Sequence, residues 1–179
     1  MQTNAIPAKR IQTKELVVDA LFIALTFVFT AFINVRLPIG GNGGLIHLGN
    51  IPLFIAAIIF GKRTGALAGG IGMALFDLMS GWSTWAPFTL IIVGLMGFAV
   101  GAMTENRKEH KRLWYIAAMV VALIIKIVGY YIAEIILYGN WLAPLGSIPG
   151  NIIQVTFAAI VAFIIVDPLK VIARKAGLI

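Results

Sequence analysis

Six apolar stretches, separated by short polar connections, constrain this chain of 179 residues more than any other feature. A helix that spans a bilayer needs about 20 mostly apolar residues. Apolar residues make up 60% of the chain and charged residues only 12%, whereas soluble domains have roughly 45–50% and about 25%. We therefore predict an all-α integral membrane protein with six transmembrane helices in a single domain. The predicted spans are Leu16–Asn34, Ile46–Phe60, Thr64–Ser80, Pro87–Met103, Trp114–Tyr138 and Ile148–Asp167.

The basic residues predict how these helices are oriented. Of the 14 Lys and Arg residues, all but Arg36 and Lys126 lie before the first span, after the sixth, or in the connections after the second and fourth. Positive charge stays on the cytoplasmic side, so both termini are predicted to be cytoplasmic. A segment of about residues 1–15 precedes the bundle of about 16–170, and a basic tail, 171–179, follows it. The residues that set this orientation are Lys9, Arg10, Lys14, Lys62, Arg63, Arg107, Lys108, Lys111, Arg112, Lys170, Arg174 and Lys175.

The sequence offers little for catalysis. It contains no cysteine, which excludes thiol chemistry, and neither glycine-rich phosphate-binding motif occurs. Of the two histidines, His110 lies in a basic connection, which leaves His47 alone on the outer side, too few for a His-rich metal site. We expect no catalytic residue, no metal site and no cofactor.

Small residues recur at four-residue spacing in two places. Gly61, Gly65 and Gly69 do so at the start of the third span, and such spacing lets helix backbones approach closely in lipid. We therefore predict tight helix packing there. Ala20 and Ala24 form a similar patch on the first helix, which either packs internally or docks another membrane subunit.

Polar side chains gather at the outer ends of the predicted helices. Polar groups in hydrocarbon are costly unless they are paired or face a cavity, and these groups lie at one depth. They predict a binding pocket that opens to the outside. The candidate substrate-binding residues are His47, Asn50, Asp77, Trp82, Trp85, Lys126, Tyr130, Glu134, Asn151 and Gln154.

Each candidate also has a structural interpretation. Lys126, Tyr130 and Glu134 follow one another at four-residue spacing and share a helix face. Lys126 could instead pair with Asp77 or a carbonyl, and Glu134 could reach outer water. Asn151 and Gln154 could form interhelical hydrogen bonds or cap the sixth helix. The tryptophans could belong to the interfacial aromatic belt.

Several of these segments resemble the substrate-binding S component of energy-coupling factor (ECF) vitamin transporters, closest to the riboflavin-type family. That family includes proteins assigned to hydroxymethylpyrimidine and vitamin B6 compounds. The resemblance covers nearly the whole chain. One departure is Asn50, where the family often has Asp, so that a contact by charge becomes at most a hydrogen bond. The matching segments are Gly44–Asn50, Phe60–Gly72, Ala74–Gly81, Trp85–Ile92, Lys126–Glu134 and Gly150–Gln154.

The resemblance implies a six-helix subunit in a prokaryotic plasma membrane that binds one vitamin near the outer face. It implies partners as well: a membrane scaffold subunit and two ATPases, which bind the ATP and power uptake. Ala20 and Ala24 match the Ala-x-x-x-Ala motif that contacts the scaffold in this family.

The chemistry of the candidate residues suits a small heteroaromatic vitamin that carries hydroxyl groups. Hydroxymethylpyrimidine and vitamin B6 are the preferred ligands and riboflavin is less favoured. Three other functions stay open at this point. The chain could be a self-sufficient ion-coupled transporter, an integral-membrane enzyme, or a structural subunit without a ligand, although the last leaves Lys126 and Glu134 unexplained.

Overall fold

The described part of the chain contains six α-helices, the number predicted. The computed structural model describes residues 12–36, 45–107 and 109–179, so Lys9, Arg10 and Lys108 lie outside the described residues. A single 3-10 turn, Ala143–Gly146, precedes the last helix. The helices are α1 Thr13–Phe32, α2 Asn50–Phe60, α3 Lys62–Met79, α4 Ala86–Thr104, α5 Lys111–Tyr138 and α6 Ile148–Lys175.

A short β-hairpin between α1 and α2 was not predicted. β1 (Asn34–Arg36) pairs antiparallel with β2 (Leu45–His47), and Asn34 lies opposite His47. The Asn34 side chain donates hydrogen bonds to the carbonyls of Thr30 and Ala31, at 2.9 and 2.7 Å. These bonds satisfy carbonyls that the end of α1 leaves free. The first span therefore ends before Asn34 and the second begins after His47, which corrects both predicted boundaries.

The helices differ in their ability to cross a membrane. Within the described chain, α1, α4, α5 and the segment Ala143–Lys175 are long and apolar enough to do so. The helix α2 has only 11 residues and is about 16 Å long, shorter than the roughly 30 Å hydrocarbon core. Its residues from Asn50 to Ile59 are all buried. It is therefore a central helix enclosed by its neighbours.

Glycines of α3 and α4 let the two helix backbones pack closely together, which confirms the close packing predicted for the third span. A Cβ on Gly65 would lie 2.7 Å from the carbonyl oxygen of Gly97, and one on Gly69 would lie 2.9 Å from that of Val93. Side chains at these positions would separate the two backbones. Gly61 has another role, because it forms the turn between α2 and α3 with φ at +93°.

Ion pairs gather at one end of the bundle. The Arg63 guanidinium lies 2.8 Å from Asp19, and the Lys111 ammonium lies 3.0 Å from Asp167. Lys62, in the first turn of α3, lies 3.1 Å from Glu105. The described basic connections thus meet at a common end, and the opposite ends of α3 and α5 carry Asp77 and Glu134.

The α3–α4 contact predicts opposite outcomes for two alanine substitutions in α4. In Gly97→Ala, the new Cβ would overlap the backbone of Gly65, whereas in Gly94→Ala the nearest atom would be 3.7 Å away. Both changes raise helix propensity equally, so the difference measures packing. We expect Gly97→Ala to destabilise the protein by about 1–3 kcal/mol and to lower its thermal unfolding midpoint in detergent. Gly94→Ala should keep the midpoint or raise it, and equal midpoints for the two variants would contradict this packing.

Candidate ligand-binding site

A cavity of about 220 Å³ opens at the end of the bundle opposite the ion pairs. Its wall is built from α1, β2, α3, the α3–α4 connection, α4, α5, the 3-10 turn and α6. Elements distant in the sequence therefore converge at one depth, as the polar residues predicted.

Nine of the ten candidate residues line this cavity. They are His47, Asp77, Trp82, Trp85, Lys126, Tyr130, Glu134, Asn151 and Gln154. The tenth, Asn50, lies behind the wall: its side chain is fully buried, and its amide donates a 3.2 Å hydrogen bond to the Gln154 side-chain oxygen. Asn50 therefore contacts a lining residue and does not itself face the cavity.

Gln154 is the centre of the polar network at the base of the cavity. Its side-chain oxygen accepts hydrogen bonds from the Lys126 ammonium and from Asn50, and its amide donates to the carbonyl of Leu45 at 3.1 Å. One side chain thus connects α5, α2 and β2 to α6. Lys126 is only 2% exposed, and its ammonium donates a hydrogen bond to this amide rather than to Asp77 or a backbone carbonyl.

A second polar group occupies the wall formed by α3, α4 and α5. The hydroxyl oxygens of Thr89 and Tyr130 lie 3.1 Å apart, and the Asp77 carboxylate lies beside Thr89. Asp77 is in the last turn of α3, which ends at Met79. The carboxylate is therefore held at the helix end, next to two hydroxyl groups.

Aromatic rings form the side of the cavity near its mouth. The ring of Trp85 lies 6.2 Å from that of Tyr130 and 5.9 Å from that of Tyr138, nearly edge-on to the latter. Such offset arrangements suit the quadrupoles of the rings. This wall can stack a planar heterocycle or pack against its edge.

Glu134 and His47 complete the polar lining. Glu134 is only 8% exposed, and its carboxyl interacts with the Ser147 side chain at the start of α6. In His47, Nδ1 accepts a 3.2 Å hydrogen bond from the backbone N–H of Gly49. The Glu134 carboxyl is thus largely buried, in the wall of the cavity.

Several lining residues were not among the candidates. Tyr138 continues the four-residue series of Lys126, Tyr130 and Glu134, and Thr89 follows Trp85 by four, so spacing alone could have found both. The apolar liners carry no signal that separates them from core residues. The lining residues missed by the sequence are Thr30, Leu45, Met73, Phe76, Thr89, Tyr138, Ala143, Gly146, Ser147 and Gly150.

Ala20 and Ala24 do not line this cavity, and both are exposed on α1. The buried face of α1 carries Val18, Phe22 and Thr26 instead. The pair therefore does not pack against the rest of the described chain, which excludes the internal-packing interpretation.

The described residues contain no group of three or more His, Asp or Glu side chains that could hold a metal ion. The cavity instead offers one amine, two carboxyls, amides, hydroxyls and aromatic rings. These groups can bind a small polar aromatic molecule through hydrogen bonds and ring contacts.

Comparison with known proteins decides the family. Residues 10–171 match the sequence profile described as "ECF-type riboflavin transporter, S component". The chain belongs to this family. It is therefore a membrane-embedded substrate-binding subunit of a transporter, and the resemblance stated from its motifs is confirmed.

Relatives of this S component support the assignment. The chain is 30% identical to the thiamine precursor transporter HmpT of Lactococcus lactis over 93% of its own length and 91% of that protein. It is also 35% identical to an uncharacterized protein of Pyrococcus woesei, over 59% of this chain and 69% of that one. The fold matches the solved S component of a bacterial ECF transporter with a TM-score of 0.67, at 21% identity, over 89% and 96% of the two chains.

The network around Gln154 predicts a measurable coupling. Gln154→Leu removes the hydrogen-bond acceptor of a buried ammonium, which should destabilise the ligand-free protein by about 2 kcal/mol. Adding Lys126→Met removes the ammonium too, so the double variant should recover part of the lost thermal midpoint, while Asn50 and the Leu45 carbonyl stay without this partner. Asn151→Leu, one turn earlier on α6, is the matched control and should change the midpoint little. An unchanged midpoint in Gln154→Leu, or no recovery in the double variant, would contradict the coupling.

Proposed function

We propose that this S component binds a thiamine precursor of the hydroxymethylpyrimidine type in the cavity and delivers it into the cell. The observation that carries the proposal is the small cavity in which an amine, two carboxyls and amides surround a wall of aromatic rings. The following points support this choice of ligand, its orientation and its partners.

The size of the cavity favours a ligand with one ring. Its volume of about 220 Å³ lies below the roughly 300 Å³ at which pockets for drug-sized ligands begin. A substituted pyrimidine needs less room than the three fused rings and sugar-alcohol chain of riboflavin. Vitamin B6 has one ring as well, so the choice between these two depends on chemistry.

The relative HmpT supports the pyrimidine. It is named as a thiamine precursor transporter, and its alignment extends over nearly the full length of both chains. A pyrimidine offers ring nitrogens that accept hydrogen bonds, and Lys126 and the hydroxyls of Thr89 and Tyr130 can donate them. The planar ring can lie against Trp85.

The distribution of basic residues supports an orientation of the bundle in which the cavity faces the outside of the cell. Lys62, Arg63, Lys111 and Arg112 lie at the end of the bundle away from the cavity. If this end is cytoplasmic, as positive charge favours, the cavity faces the outside of a prokaryotic plasma membrane and both termini are inside. The ligand then enters the site from the external medium.

The exposed alanines of α1 support the proposed scaffold and ATPase partners. Ala20 and Ala24 leave a shallow strip on α1 between exposed Leu16, Leu21 and Val28, and small residues let a second helix approach closely. We place the ECF scaffold subunit at this strip. With the scaffold come two ATPase subunits, which hydrolyse ATP for transport.

A titration with hydroxymethylpyrimidine tests the proposed ligand. We expect saturable binding by calorimetry to the purified protein in detergent, and weaker or no binding of riboflavin and pyridoxine. Glu134→Gln keeps the side-chain size but removes a buried carboxyl, and should weaken binding roughly tenfold without lowering the thermal midpoint. Glu109→Gln, an exposed acid near the ion pairs, is the control. Unchanged affinity in Glu134→Gln would show that this residue does not bind the ligand. Tighter binding of riboflavin than of hydroxymethylpyrimidine would contradict the proposed ligand.

Uptake by the assembled transporter tests the docking strip. Ala24→Trp should reduce uptake in cells that also express the scaffold and ATPases, because the large ring blocks close approach of a partner helix. Ligand binding by the isolated subunit should be unchanged. Ala102→Trp, at an exposed position of α4, controls for a bulky ring in lipid. Wild-type uptake in Ala24→Trp would show that the scaffold docks elsewhere.

A further inference from the structure

One oxygen of Asp77 is an acceptor without a donor. Asp77 Oδ2 is inaccessible to solvent and has no hydrogen-bond partner among the described residues, although Asp77 lines the cavity. Buried polar atoms in native proteins nearly always have a partner. Among the described atoms that lack one, those of Asp19, Thr26 and Asn50 belong to residues outside the cavity lining, and Asp19 is paired with Arg63. The unmet acceptor of Asp77 is therefore the one next to the ligand space.

Two lining donors near Asp77 have hydrogen-bond partners other than its Oδ2 atom. Lys126 is the lining residue with an ammonium, and it donates to Gln154. The Thr89 hydroxyl, which lies beside the carboxylate, is also within hydrogen-bond distance of the Tyr130 hydroxyl. Because neither group bonds to Oδ2, this oxygen is available to a donor that enters with the ligand.

An amino group attached to the ring is the donor that fits this position. Its N–H bonds lie in the plane of the ring and can donate to a carboxylate, whereas its nitrogen accepts hydrogen bonds poorly. Such a group therefore pairs with the Asp77 carboxylate and not with the donors elsewhere in the cavity. The amide oxygen of Gln154, at the base of the cavity, is also an acceptor, and it is occupied by Asn50 and Lys126. The two ends of the site therefore differ: the Asp77 end accepts, and the Lys126 end donates.

We infer that Asp77 is the specificity residue of the site and that it selects ligands with a ring amino group by accepting a hydrogen bond from that group. This inference rests on the proposed function, because it assumes a pyrimidine in the cavity. It explains how a site could distinguish an aminopyrimidine from a pyridine of equal size, since the pyridine lacks the amino group and would leave Oδ2 without a donor.

The test compares two ligands with two variants. The ligands are 4-amino-5-hydroxymethyl-2-methylpyrimidine and its analogue without the 4-amino group, titrated against the purified subunit in detergent. In the wild type, the analogue should bind roughly tenfold to hundredfold more weakly. In Asp77→Leu, which has no acceptor at this position, the two dissociation constants should lie within about threefold of each other. Glu134→Gln, which removes the other carboxyl of the cavity, should weaken both ligands and keep the wild-type ratio.

The outcomes separate the inference from the proposed function. If the wild type binds neither pyrimidine, the proposed function fails. If it binds both with equal affinity, the function stands and the inference is overturned, whatever the variants do. A wild-type ratio that persists in Asp77→Leu also overturns it, because another residue then reads the amino group. Asp77→Asn provides a second variant if Asp77→Leu does not fold, and a carboxylate-specific contact predicts a reduced ratio there too.

Discussion

The hydrogen bond between Lys126 and Gln154 is the interaction on which the site depends. An ammonium buried in an apolar bundle is costly unless it has a partner, and here the partner is an amide from another helix. The same amide also holds Asn50 of the central helix and the backbone of β2. Four elements are thereby fixed around one side chain, which defines the base of the cavity and the position of the amine within it.

The two halves of the bundle are stabilised in different ways, and this difference explains why the cavity exists. Along the α3–α4 contact, glycines bring backbones so close that no side chain fits between them. Where α5 and α6 approach β2 and the end of α3, the contacts are made by long polar and aromatic side chains, which hold the backbones apart. Tight packing on one side and side-chain spacing on the other leave a space at one end of the bundle. The ion pairs close the opposite end of the bundle.

Much of this architecture is predictable from the sequence because it follows from periodicity and depth. The apolar lengths predicted six helices, and the polar residues at their ends predicted one cavity, since alternating helices bring these ends together. The four-residue series from Lys126 to Glu134 predicted a common face.

The hairpin was not predictable in this way, because strands of three residues are too short to show an alternating pattern. Asn50 shows a further limit of sequence reasoning. Its position along the helix predicted that it lies near the cavity, but only its hydrogen bond to Gln154 shows that it lies behind the lining residues. Met73 and Phe76 could not be separated from core residues, since a cavity wall and a core use the same apolar types.

Identification of the molecule that the protein selects tests the central claim most directly. The purified subunit would be incubated with an equimolar mixture of hydroxymethylpyrimidine, pyridoxine, riboflavin and thiamine, washed, and denatured, and the released compounds identified by mass spectrometry. The account predicts a single compound, hydroxymethylpyrimidine, in near one-to-one ratio to protein. Release of riboflavin would contradict the small one-ring site, and release of none of the four compounds would contradict the proposed ligand altogether.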